Sequence, residues 1–317
     1  MGDRRVPRTL PARAGLAATI VLAVLVLGGV STALLAFDPR VTSADALRTG
    51  GLAAGSVVAL YALWLNDRRR RVEEDRQGTE RERQALEHDR VADERFARAV
   101  ELLGHETDQV RVGALHALAG LARSNPDHAQ TVLDVLCSYL RRPFDHPRDV
   151  GGEWTQEQVD EAQRMLQVRL TAQRLIADLL PRAGEADAPV LDLDLTGATL
   201  EYFDLSERLV GSVVLRHARL FSSNNFSRST FRGPVWFTGS RVGSEQRGGR
   251  FRCDGSVFHG KAWFPRVRFS GLASFEGTSF RGPAKFTDST FAEPPVLGGA
   301  EFLDHVEGAP TEPVEAP

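Results

Sequence analysis

Between Leu195 and Phe291 one large apolar residue returns every five or six positions. Leu195, Leu200, Leu205, Val210, Leu215 and Leu220 keep a period of five. After a slip, Phe258, Phe264, Phe269, Phe275, Phe280, Phe286 and Phe291 follow at spacings alternating between six and five. A helix repeats its apolar face about every 3.6 residues and a strand about every two, so neither produces this beat. Two residues before a large centre there is usually a small or β-branched residue, as at Ala198, Ala218, Ala262, Val267 and Ala284. On an extended segment these two point the same way, into a shared interior. The residue between them points outward and is mostly polar, as at Arg219, Arg268 and Lys285. Glycine often follows two places after the centre (Gly233, Gly239, Gly260, Gly271, Gly277, Gly282), which suits a tight turn. Short strand, corner, short strand, corner predicts a four-sided coil with one unit per face and apolar columns inside. Phe264 is then expected to stack on Phe286, and Phe269 on Phe291. Residues 243–250 carry no apolar centre and are expected to bulge out, while Phe203 occupies a slot that otherwise takes a small residue.

Ala198-Thr199-Leu200 and Ala218-Arg219-Leu220 echo an A-(D/N)-L-x-x unit, and Thr278-Ser279-Phe280-Arg281-Gly282 is a Phe-centred version of it. On these residues the chain resembles a membrane-anchored bacterial pentapeptide-repeat protein with a Phe-centred repeat variant. The resemblance covers about a third of the chain and implies a right-handed quadrilateral β-helix. Solenoids need capped ends. The helix before Pro181 and the residues after Phe291 are the candidates.

The N-terminal pattern is different. Ala14 to Phe37 is 24 residues without a charge, and a second uncharged run extends from Thr49 to Asn66. A bilayer needs about 20 apolar residues per helix, so two spans are expected; a secretory signal is the competing reading of the first. Arg4, Arg5, Arg8 and Arg13 precede the first run, and Arg68, Arg69, Arg70 and Arg71 follow the second. Basic flanks stay cytoplasmic, which predicts a multi-pass cell-membrane protein with both termini and the solenoid in the cytoplasm. The four arginines are also candidate contacts for anionic lipid. Gly51 and Gly55 form a small-xxx-small pair expected to pack the hairpin. From Asp67 to Arg95, 19 of 29 residues are charged, with opposite charges four apart, predicting a solvated helix with Gly78 as its weak point. Next, Asp108 opens a helix striped with Val112, Leu115, Leu118 and Leu121, which looks like one HEAT- or armadillo-like repeat. A last helix, about Gln156 to Leu180, carries Val159, Ala162, Leu166, Leu170 and Ile176, interrupted by Gln173. The expected fold class is therefore α plus β-solenoid. Its segments are a transmembrane hairpin (1–66), a charged spacer (67–95), a helical unit (96–181), the β-helix (190–303) and a disordered tail (304–317).

Overall charge is −3, but Ser206 to Phe291 holds 14 Lys and Arg against 5 Asp and Glu, a net +9. The two cysteines, Cys137 and Cys253, have no metal-ligand companions and make no disulfide framework. His105-Glu106 begins like a zinc-protease motif, but Gln109 stands where its second His belongs. Asp192 and Asp194 read as the outward side of an early coil, and His217 and His259 as solvated side chains. No catalytic residue, metal site or cofactor is predicted. Trp236 and Trp263 immediately precede centres and point outward, and with Arg241, Arg268 and Lys285 they form the candidate interaction face. The expected role is a non-catalytic, membrane-anchored scaffold with an unidentified protein partner. The alternative is salt-sensitive binding of nucleic acid or anionic lipid by the basic face. The resemblance also raises DNA mimicry that protects gyrase, but mimicry needs an acidic rod and this one is basic.

Overall fold

In the computed structural model residues 12–37, 42–147, 154–244 and 246–310 are described, without the side chains of 12–16, 37, 68–79, 81–82, 85 and 88. The chain divides into two compact units, Met1–Asp89 and Arg90–Pro317.

Helix α1 (Ala12–Phe37) and the first part of α2 (Ser43–Leu103) form the first unit. Both contain a stretch long and apolar enough to cross a membrane, Ala17–Ala36 and Ser43–Asp67. Their outer faces leave Leu25, Leu52, Leu60 and Leu63 exposed. Ser31 Oγ donates to the Ala46 carbonyl at 3.1 Å, tying α1 to α2. The packed glycine is Gly50, where a Cβ would sit 2.8 Å from the Leu27 carbonyl; Gly51 and Gly55 meet open space. This corrects the expected small-xxx-small contact. One residue along a helix turns the face by about 100°, so Ala46 and Gly50, four apart, face α1 instead. The charged stretch is not a separate element but the continuation of α2, which passes through Gly78 unbroken.

In the second unit, the end of α2 is followed by α3 (Asp108–Ser124), a 3₁₀ turn (Pro126–His128), α4 (Ala129–Arg141) and α5 (Gln156–Leu179). Thr155 and Gln158 close a capping box at the start of α5, satisfying amides that otherwise lack partners. Leu115, Leu118, Val132, Leu136, Leu140, Val168 and Ile176 pack into a core that runs on into the solenoid. Gln173 does not interrupt this packing. It is buried, and its Oε1 accepts the Glu201 amide at 3.2 Å, fixing α5 on the first coil.

The solenoid makes about five coils of four faces, every strand pairing parallel and in register with the coil before it. The first face runs Leu193–Asp194, Val213–Val214, Val235–Trp236, Ala262–Trp263, Ala284–Lys285 and Val306–Glu307. The second runs Thr199–Glu201, Arg219–Phe221, Arg241–Val242, Arg268–Phe269 and Thr290–Phe291. Ser223–Asn225, Arg250–Arg252 and Ala273–Ser274 make the third face. Leu209–Val210, Thr230–Phe231, Val257–Phe258, Ser279–Phe280 and Glu301–Phe302 make the fourth. The phased centres fill the interior. Phe264 stacks on Phe286 at 4.9 Å and Phe269 on Phe291 at 4.8 Å, as the spacing predicts. Inside the fourth face Ser256 Oγ donates to the Phe226 carbonyl (2.6 Å) and Thr278 Oγ1 to the Cys253 carbonyl (2.7 Å), so these two buried hydroxyls are satisfied.

The glycines two after a centre divide into two kinds. Gly239 and Gly277 take φ of 68° and 61° at five-residue corners, the left-handed geometry expected. Gly260 and Gly282 sit at six-residue corners, where the extra residue presses the chain onto the coil before it. A Cβ on Gly282 would come within 2.5 Å of the Gly260 carbonyl. The bulge forms at Gly243 to Gly249, closed by Ser244 and Gly248; Arg250 already belongs to the next strand, and residue 245 lies outside the described residues.

Past the bulge the centre position falls to Cys253, in register with Phe226 and Phe275. Phe251 fills the small-residue slot, lying 5.3 Å from Phe226 and 5.7 Å from Phe275. Phe203, at the same slot of the first coil, is equally buried. The disordered tail expected from residue 304 is corrected over residues 304–310, which continue the coil. Phe302 stacks on Phe280 at 4.8 Å and Val306 pairs with Ala284, because the last full coil offers an open backbone edge that even a sparse apolar sequence satisfies. Residues 311–317 lie outside the described residues.

Candidate interaction surface

The outward residues of a parallel in-register solenoid repeat at the spacing between strands, about 4.8 Å. Trp236 therefore neighbours Trp263, and Trp263 neighbours Lys285, on the first face. Arg241 and Arg268 are also neighbours, together with Arg219, but on the second face. The five residues expected on one face thus fall on two consecutive faces, because five residues of chain turn one corner. Lys285 is also not a free cation: its Nζ lies 2.5 Å from Glu307 Oε2, which holds that carboxyl below its usual range.

Sequence spacing did not reveal what covers the tryptophans. Arg216 lies over the Trp236 ring at 5.2 Å and Lys261 over the Trp263 ring at 5.1 Å. Both rings are half-buried. Lys261 stands two places before the ring it covers, whereas Arg216 comes from the coil before, two places past Val214, the in-register partner of Trp236. At the corner where the fourth face turns into the first, His259 lies between Arg232 and Arg281 in consecutive coils. It is half-buried, and desolvation first, then the two guanidinium groups, lowers its pKa.

A second cluster holds the helices to the solenoid. Arg169 is buried and donates to the carbonyls of Leu140, Thr199 (3.1 Å) and Arg142 (3.4 Å), with its guanidinium 4.8 Å over Phe144. Burial pulls its pKa down to about 10, with Arg142 and Arg219 adding to the shift and Tyr139 opposing it. Arg219 donates to Phe144 O (3.0 Å) and Thr199 Oγ1 (3.1 Å). His146 stacks on Phe221 at 4.0 Å with Nε2 3.4 Å from Glu201 Oε2, and Ser222 donates to Glu201 Oε1 at 2.7 Å. On the first strand, Gln130 accepts the Asp192 amide (2.8 Å) and donates to its carbonyl (3.0 Å), standing in for a missing neighbour strand. Asp194 pairs with Arg141. Asp192 and Asp194 are therefore docking residues of the cap.

The groove beside this cap, about 320 Å³, is lined by Arg174 and Arg208 against Asp178, Glu201 and Asp204, a mixed-charge set with one acid in excess. His105 Nδ1 accepts the Thr107 amide at 3.0 Å. Among the described residues no three His, Cys, Asp or Glu side chains come together as a metal site. The side chains of Arg68, Arg69, Arg70 and Arg71 lie outside the described residues.

A family model described as pentapeptide repeats (9 copies) matches residues 254–294 and 264–307. No curated protein and no solved structure matches the chain.

Proposed function

We propose that this pentapeptide-repeat protein uses its C-terminal solenoid as a display surface and serves as a membrane-anchored, non-catalytic interaction scaffold. One observation supports this most: the solenoid interior is filled by stacked rings and leucines, while its outward residues stand at fixed spacing on flat faces. A core packed in this way is rigid, so a partner meets preformed geometry. The paired carboxylates Asp192 and Asp194 both have structural partners, the Ser212 amide and Arg141, which favours binding over catalysis.

The two apolar stretches of α1 and α2 act as bilayer spans in this reading. Arg4 to Arg13 and Arg68 to Arg71 then hold both flanks, and with them the solenoid, in the cytoplasm. A cleaved signal would leave a chain lacking its first helix, so the intact mass of the membrane-extracted protein distinguishes the two. The test of the scaffold role is site-specific photocrosslinking in native membranes. A crosslinker at Thr238, between Trp236 and Arg241, is expected to give discrete adducts that one at Ser279, on the fourth face, does not. Equal adducts at both positions would refute a partner surface on the first two faces.

A further inference from the structure

Acidic charge on the solenoid is sorted by face. Between Ser206 and Phe291 the acids are Glu207, Glu245, Asp254, Glu276 and Asp288. The first four belong to the third and fourth faces or to the bulge that leads into them, and only Asp288 belongs to a corner of the first two. The three middle coils of the first two faces (residues 212–222, 234–243 and 261–270) contain no acid at all. They carry Arg216, Arg241, Lys261, Arg266 and Arg268, all exposed. Arg241 and Arg268 are in-register neighbours, so like charges sit about one strand spacing apart. Acids bound this area: Asp194 with Arg141 at one end, Glu307 with Lys285 and Asp288 at the other. The result is a ridge about three coils long, cationic on both slopes, with Trp236 and Trp263 on one of them.

We propose that this ridge docks on an anionic lipid headgroup surface, resting on the reading of the two apolar helices as bilayer spans. The tryptophans decide between an anionic lipid surface and a nucleic acid strand. Binding of single strands uses aromatic rings as stacking platforms. Here each half-buried ring already carries a cation over it, Arg216 or Lys261, which competes with a stacking base. A half-buried indole flanked by arginine and lysine is instead suited to the headgroup level of a bilayer, where apolar ring and cationic side chain are both accommodated. Clusters of Lys and Arg are drawn to that surface within a Debye length. A bilayer tethered through the same chain is also present at high effective concentration.

The test uses the full chain in nanodiscs, with Thr238→Cys labelled by a donor fluorophore and an acceptor on the lipid headgroups. Discs are made of phosphatidylcholine alone or of phosphatidylcholine with phosphatidylserine. Energy transfer is expected to rise several-fold with phosphatidylserine. It is expected to return to the phosphatidylcholine level in ~1 M salt, where the Debye length is about 3 Å, and in an Arg241→Glu/Arg268→Glu variant whose thermal unfolding matches the parent. A label at Ser279→Cys is expected to show no such rise. Equal transfer in both lipids, insensitivity to salt and charge reversal, or the same rise at Ser279, would each overturn the proposal. So would a labelled 20-base single-stranded DNA that binds where phosphatidylserine has no effect. An alkaline wash of native membranes tests the spans separately. If the wash strips the chain, the anchoring reading fails, and flotation of the free chain with phosphatidylserine vesicles, but not phosphatidylcholine vesicles, then decides the ridge alone.

Discussion

Phe251 and Cys253 have exchanged the sizes that their slots normally hold, and this exchange can be measured. Phe251 is fully buried and lies within 5.2–5.7 Å of Phe237, Phe226, Phe269 and Phe275, rings contributed by the coils on either side of its own. Cys253, also fully buried, occupies the column that holds Phe226 before it and Phe275 after it. Phe251→Ala is expected to cost about 3–5 kcal/mol, the transfer term plus the cavity left between rigid neighbours. Cys253→Phe alone overfills the same volume, at about 1–3 kcal/mol. Together the two changes restore the regular small-then-large order, so the double variant should recover roughly 1–3 kcal/mol of the summed cost. The assay is denaturant unfolding of the four proteins, with hydrogen exchange at Phe226 and Cys253 because solenoid coils need not unfold as one unit. A double variant no more stable than Phe251→Ala would show that the slots are not one shared volume.

Arg169→Ala leaves the Leu140 and Thr199 carbonyls without their buried donor and removes the cation over Phe144, for a loss of at least about 3 kcal/mol. Protease resistance of the first coil should fall with it, and unchanged resistance would show that the cap does not depend on this residue. The Glu307 carboxyl is held low chiefly by its hydrogen bond and charge contact with Lys285. Its folded pKa lies below the unfolded one, so its contribution is present at neutral pH and is lost as pH falls below about 4.5 through the folded value. Amide exchange in Val306–Glu307 should therefore accelerate on acidification, and Glu307→Gln should remove the pH dependence; a Glu307→Gln chain with the same acid profile would count against the pairing.

The fold was legible where local chemistry repeats. Phe264, Phe286, Phe269 and Phe291 announce their stacking because each stands one coil, 22 residues, from its partner. Legibility ends where a residue answers to a neighbour distant in sequence. Gly239 and Gly282 look alike in the string, yet one needs a left-handed φ and the other needs space beside Gly260. Nothing near Val306 predicts a strand, since its partner is the exposed edge at Ala284. The interaction surface was half legible. Alternation put Trp236 and Trp263 outside, but only counting corners separates them from Arg241 and Arg268, and only coordinates reveal Arg216 and Lys261 over the rings. Gln173 reads as a break in an apolar stripe, and Arg169 does not stand out in the sequence at all, because their partners at Glu201, Leu140 and Thr199 come from other elements.

The most direct test of the in-register four-sided coil is a pair of double-cysteine variants, made in a chain whose own Cys137 and Cys253 are buried. Val257→Cys with Ser279→Cys joins neighbours on one face, whereas Ser279→Cys with Thr290→Cys joins positions on opposite faces. A flexible chain would favour the second pair, which closes the shorter loop. The coil predicts that mild oxidation crosslinks 257 to 279 quantitatively and leaves 279 and 290 as free thiols; crosslinking of 279 to 290, or of neither pair, would contradict it.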